Sequence, residues 1–149
     1  MTLTEQINQD VKQAMKARDK DTLKVIRMLK AALQLQQIEQ KDPLSTEQEI
    51  SIIARELKQR KESLAEFDKA GRHDLVEELE KEIKIVEQYL PKQLSEDEIN
   101  VAIDAIITAT GASSMKDFGT VMSQTMTELK GQADGQTVNR LVKERLSNN

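Results

Sequence analysis

A chain of 149 residues with no cysteine, no tryptophan, one tyrosine and two phenylalanines excludes disulfide scaffolds, thiolate metal sites and thiol nucleophiles, and it needs a core packed from aliphatic side chains. Its formal net charge of −4, with 32% charged residues, gives no bulk attraction to nucleic acid, so any such site must be a local patch. Two prolines and five glycines are few for the turns of an all-β protein, and abundant Glu, Gln, Lys, Leu and Ala favour helix, so the fold class is all-α.

The first helix opens at a Thr2-x-x-Glu5 capping box and sets Ile7, Val11, Ala14 and Met15 on one face. The segment "RDKD" (18–21) interrupts it, with Asp21 the expected N-cap of the next helix. That second helix, about 22–40, is apolar over a wide arc formed by Leu23, Val25, Ile26, Met28, Leu29, Leu33, Leu35 and Ile38. Such breadth fits a central helix contacted on more than one side. "KDPLSTEQE" (41–49) is a turn holding two rival capping boxes, Ser45-x-x-Gln48 and Thr46-x-x-Glu49. The third helix runs to Ala70, where Gly71 is placed to close it. The fourth, about 73–90, presents Leu75, Leu79, Ile83, Val86 and Leu90.

Pro91 cannot continue that helix and biases Leu90 away from helical dihedrals. The segment 91–94 is thus the expected linker between a four-helix domain, 1–90, and a three-helix domain, 95–149. In the latter, a Ser95-x-x-Glu98 box starts a helix that buries Ile99, Ile103 and Ile106 and ends at Gly111. The next follows Ser113 or Ser114, buries Phe118, Val121, Met122, Met126 and Leu129, and ends at Gly131. The last starts at Asp134 and buries Val138, Leu141, Val142 and Leu146.

Covalent chemistry finds no footing in this pattern. The single histidine, His73, follows a helix end with no poised Ser or Cys beside it. No stretch has the spacing of a calcium loop, and "TGASSMKDFG" lacks the second Gly and the Lys-Ser/Thr of a phosphate-binding loop. No catalytic residue, metal or cofactor is therefore expected. The start "MTLTEQINQD" lacks the basic-then-apolar layout of a secretory signal, and no apolar run reaches membrane-spanning length. A cytoplasmic protein with no membrane partner is the corresponding expectation.

The positive charges say more. On helix three the apolar stripe Ile50, Ile53, Leu57, Leu64 and Phe67 misses one turn, and Arg60 and Lys61 occupy it. With Arg55 and Lys58 they make "RELKQRKE" a basic girdle. Either its stems lie over the core with the heads paired to Glu56, Glu62 or Glu66, or its cations converge on a phosphate backbone. A second line, Lys12, Lys16, Lys20, Lys24, Arg27 and Lys30, is split between two helices by the break at 18–21. In the last domain Lys130, Arg140, Lys143 and Arg145 make "KGQADGQTVNRLVKERL" locally basic, which suits a solvated helix end and a binding face equally. Three aromatics leave no platform for stacking bases, so a bound nucleic acid would be held by backbone and shape, as in folded double-helical RNA.

"RELKQRKESLAEF", "QYLPKQLSEDEI", "TGASSMKDFGTVM" and "KGQADGQTVNRLVKERL", in this order, carry a resemblance that covers essentially the full length. The chain resembles YqeY-like proteins of the GatB/YqeY family. The resemblance implies the same two helical domains and kinship with the tail of the B subunit of tRNA-dependent amidotransferase, which converts misacylated Glu-tRNAGln or Asp-tRNAAsn. In that enzyme the tail engages tRNA while the amidase subunit and the B subunit's cradle do the chemistry, and this sequence resembles the tail alone. It therefore implies a non-catalytic tRNA- or RNA-associated module, acting on its own or as an accessory to amidation, with tRNA and amidotransferase or other protein subunits as partners. The RNA-facing role falls by position on Lys130, Arg140 and Lys143, beside the girdle Arg55, Lys58, Arg60 and Lys61. Two alternatives stand: a helical protein-interaction adaptor, and a carbon–nitrogen ligase using glutamine as amido donor together with other subunits.

Overall fold

The computed structural model describes residues 1–147, and within them the chain forms seven α-helices and no strand. They are α1 (Leu3–Ala17), α2 (Lys20–Ile38), α3 (Thr46–Lys69), α4 (His73–Glu87), α5 (Glu96–Thr110), α6 (Phe118–Glu128) and α7 (Gly135–Ser147), with one turn of 3-10 helix at Met115–Asp117. Two compact units divide the chain, Met1–Pro91 and the residues from Lys92 onward.

Local capping chemistry sets most of the boundaries. At the start of α1, Glu5 N donates to Thr2 Oγ1 at 3.1 Å while Thr2 N donates to Glu5 Oε2 at 3.0 Å, so two orphan amides are satisfied reciprocally. The helix closes with Arg18 in the left-handed region at φ 54°, where Asp19 N reaches back to Ala14 O at 3.0 Å. That reversal places Asp19, and not the expected Asp21, at the N-cap of α2. Asp19 accepts from Thr22 N at 3.1 Å and from Thr22 Oγ1 at 2.7 Å, and these bonds hold its carboxyl below the ordinary range.

Of the two boxes before α3, Ser45–Gln48 is the one that forms. Glu49, the acid of the other, is 2% exposed and accepts from both Thr4 N and Thr4 Oγ1 at 2.7 Å. A side chain from α3 therefore satisfies an unpaired amide in the first turn of α1. The far end of α3 turns at Gly71 (φ 71°), with Arg72 N bonded to Phe67 O at 3.0 Å. The helix α4 stops at Glu87, short of the expected Leu90, and residues 88–90 form turn-type bonds before Pro91.

In the first unit α2 packs against α1, α3 and α4. Ile7, Val25, Ile26, Leu29, Leu33, Ile53 and Val86 are its most deeply buried side chains. Tyr89 closes one side of this core and donates its hydroxyl to Asp10 Oδ2 at 2.5 Å.

The second unit packs Ile99, Ile103, Ile106, Val121, Val138, Leu141, Val142 and Leu146 around Thr125, which is fully buried. Thr125 gives its hydroxyl proton to Val121 O at 2.7 Å, so the core carries a polar residue without an open donor. Residues 92–94 are hydrogen-bonded to the turn between α6 and α7. Leu94 N donates to Gln132 O at 3.0 Å, Gln93 Nε2 to Gly131 O at 2.7 Å, and Gln132 Nε2 to Lys92 O at 3.2 Å. Asp134 caps α7, accepting from Thr137 N at 2.9 Å and Thr137 Oγ1 at 2.8 Å.

Burial first, and the neighbouring Asp10 carboxylate second, push the Tyr89 phenol well above its usual 10.0. Because the folded-state value is raised, Tyr89 contributes stability that is present below the usual value and lost as pH rises through the raised one. Phenolate absorbance, clean here because there is one tyrosine, is expected to stay flat through pH 10 and to rise only on strongly alkaline unfolding. Asp10→Asn is expected to bring the titration down toward the usual value.

Candidate nucleic-acid interface

The helix α3 runs for 24 residues and buries Ile53 and Leu57 on its inner face. Arg60 follows on that same face, one turn on, and is only 6% exposed. Its Nη1 donates to Glu56 Oε2 at 3.0 Å and to Glu56 O at 3.1 Å. Its Nε lies 3.5 Å from Glu82 Oε1 of α4, and its Nη2 lies 3.5 Å from Met28 Sδ of α2. Arg60 is thus withdrawn from the girdle proposed from sequence, because a guanidinium held between two carboxylates inside the bundle cannot also meet a phosphate.

The rest of the girdle faces outward. Arg55 and Lys61 are exposed and Lys58 is half-buried, and among the described residues none of the three has a carboxylate within ion-pair distance. They recur every third residue, which spreads three cations over about 9 Å of helix.

The cations of the second unit are differently placed. Arg140 is paired twice, its Nη2 with Glu96 Oε1 of α5 and its Nη1 with Glu144 Oε1 at 3.2 Å. Arg145 Nε lies 3.2 Å from Asp104 Oδ1. Lys143 holds its ammonium 5.9 Å from the centroid of the Phe118 ring, a cation–π distance. Lys130 is exposed in the turn after α6. Arg140 and Lys143 are therefore neighbours on one turn of α7, while Lys130 stands at the opposite end of that helix's approach loop. Exposed pairs of this kind contribute roughly 0 to 1 kcal/mol, so a phosphate can compete for them.

Grooves in the first unit gather charge of either sign. One of about 350 Å³ is lined by Thr4, Asn8, Val11, Lys12, Lys30 and Gln34. It brings together Lys12 of α1 and Lys30 of α2, which the helix break separates in sequence, and Asn8 Oδ1 is buried beside them without a hydrogen-bond partner. Another, about 270 Å³, is lined chiefly by carboxylates, Asp21, Asp74, Glu77, Glu78 and Glu82, with Lys24 and Lys81. Among the described residues no group of His, Asp or Glu could hold a metal ion. His73 is exposed as the first residue of α4. Among the described residues no helix is long and apolar enough to cross a membrane.

The Arg60 strut makes a stability prediction. Arg60→Ala leaves two partly buried carboxylates facing each other and is expected to destabilise the fold by about 3 kcal/mol in urea titration. Arg60→Lys recovers only part of this, since one ammonium cannot reproduce the planar fork that serves Glu56 and Glu82.

Compared with known proteins, residues 4–146 match the family described as Yqey-like protein. A curated relative from Kluyveromyces lactis, named Altered inheritance of mitochondria protein 41, mitochondrial, is 37% identical over 106 residues, which are 68% of this chain and 57% of that protein. A protein of the same name from Pyrenophora tritici-repentis is 27% identical over 139 residues, 91% of this chain and 76% of its own. The match therefore spans little more than half the length of the first relative. Both relatives are mitochondrial by name, which overturns the expectation of a cytoplasmic protein. That expectation rested on a missing apolar signal, and organelle-targeting segments are amphipathic and basic, so the criterion was blind to them. By a match that covers nearly its whole length, the chain belongs to the family of Yqey-like proteins.

Proposed function

We propose that this protein is a non-catalytic module that binds folded tRNA through its phosphate backbone, as an accessory to tRNA-dependent amidation. The observation that carries the reading is the row Arg55, Lys58 and Lys61 on α3, whose charges no carboxylate of the described residues neutralises. In a protein of net charge −4, unpaired cations kept in one row are available to a polyanion. The resemblance to the amidotransferase tail supplies the class of RNA. Lys143 and Arg140 on α7, with Lys130, provide a second and weaker set of contacts. The scarcity of aromatic side chains favours shape and backbone over bases.

Titration of labelled, unfractionated tRNA at several salt concentrations tests this. Binding is expected to weaken with salt, with a log–log slope that grows by roughly 0.7 to 0.9 for each phosphate neutralised. Replacing Arg55, Lys58 and Lys61 together by Glu is expected to weaken binding more than tenfold and to flatten the slope by roughly 2. No binding at low salt, or a slope unchanged by the triple replacement, contradicts the reading. So does glutamine-dependent conversion of misacylated tRNA by the isolated chain.

A further inference from the structure

The helix α2 has a second apolar face that its own bundle leaves open. While Val25, Ile26, Leu29 and Leu33 are buried, Leu35 is 64% exposed and Ile38 81%, Ala31 is exposed, and Met28 at the edge of this face is 46% exposed with its Sδ against Arg60. Positions 28, 31, 35 and 38 follow the three-then-four spacing of a coiled-coil seam. The seam is flanked by charge of opposite sign at its two ends, Lys24 and Arg27 before it, Glu39 and Asp42 after it. All four are exposed, and among the described residues none has an ion-pair partner.

We propose that this seam docks against the same seam of a second copy of the chain, with the two α2 helices antiparallel about a two-fold axis at the level of Leu33. A two-fold contact is self-complementary, so each residue i meets one residue j and j meets i. With the axis at this level, Met28 faces Ile38 and Ala31 faces Leu35, each pair occurring twice. The same register sets Arg27 against Glu39, the C-cap of α2, and brings Lys24 toward the bend after the helix that carries Asp42. Parallel pairing would instead set Lys24 and Arg27 against themselves, which opposes it. The small side chain of Ala31 lets the helices approach where Leu35 crosses. Only four apolar positions per copy contribute, so the dimer is weak and forms with rising concentration. An anionic membrane or an RNA fits the seam poorly, since its exposed centre is apolar and one end is acidic.

Sedimentation velocity on the nuclease-treated full chain, over a wide range of concentrations, tests the proposal without any RNA present, so its failure leaves the tRNA reading standing. The wild type is expected to pass from monomer to dimer as concentration rises. Leu35→Lys, a change on an exposed face that circular dichroism will show to be folded, is expected to stay monomeric throughout. Lys24→Glu with Arg27→Glu makes both ends of the seam acidic, and Glu39→Lys with Asp42→Lys makes both ends basic. Each doubly substituted chain alone is expected to self-associate at least tenfold more weakly, whereas their equimolar mixture associates again. A wild type that is monomeric at every concentration, dimers indifferent to Leu35→Lys, or a mixture that fails to associate overturns it.

Discussion

A single guanidinium sets the terms for the first unit. Arg60 sits where the inner face of α3 calls for an apolar side chain, and it is held there by Glu56 one turn earlier and by Glu82 of α4. Charged side chains are buried only when paired, so the position requires that α3 and α4 lie side by side with those carboxylates inward. With three aromatic residues in the whole chain, the core is aliphatic, and polar contacts tie its elements together at the edges. Glu49 reaches from α3 to the amide and hydroxyl of Thr4, and Tyr89 reaches from beyond α4 to Asp10. In the second unit Thr125 closes on its own helix.

The same rule sorts the basic residues by task. Arg60 is spent on architecture. Arg140 and Arg145 are balanced at the surface by carboxylates that hold them loosely. Arg55, Lys58 and Lys61, like Lys24 and Arg27 of α2, are left without such partners among the described residues, and their single row on α3 is what the proposed contact with a polyanion rests on. Net charge conceals the distinction, because an acidic protein can still present an unneutralised row of cations. The exposed seam of α2 is a parallel case among apolar residues, since the bundle buries one face of the helix and leaves the next.

What was legible in the sequence followed from interactions that span three or four residues. The boxes at Thr2 and Ser95, the glycine turns at Gly71 and Gly111, and the Asp134 cap are local, and their residues name themselves. What escaped depended on partners far along the chain. The choice of Ser45 over Thr46 is tied to Glu49, which is engaged by Thr4. The burial of Arg60 turns on Glu82, and the meeting of Lys12 with Lys30 turns on how α1 folds back along α2. Asp19 displaced Asp21 as a cap because an arginine, where a glycine would have advertised the turn, adopts the left-handed conformation at position 18. The breadth of the apolar arc on α2 suggested neighbours on several sides. Three helices do pack on it, yet Met28, Leu35 and Ile38 remain open.

The division of cations into structural and available sets is most directly tested by the reactivity of each lysine toward an acetylating reagent, read by mass spectrometry with and without saturating tRNA. Lys58 and Lys61 are expected to lose reactivity when tRNA is bound, while Lys81, which lines the carboxylate-rich groove between α2 and α4, keeps its own. Protection that falls equally on all three lysines, or on none, would contradict the account.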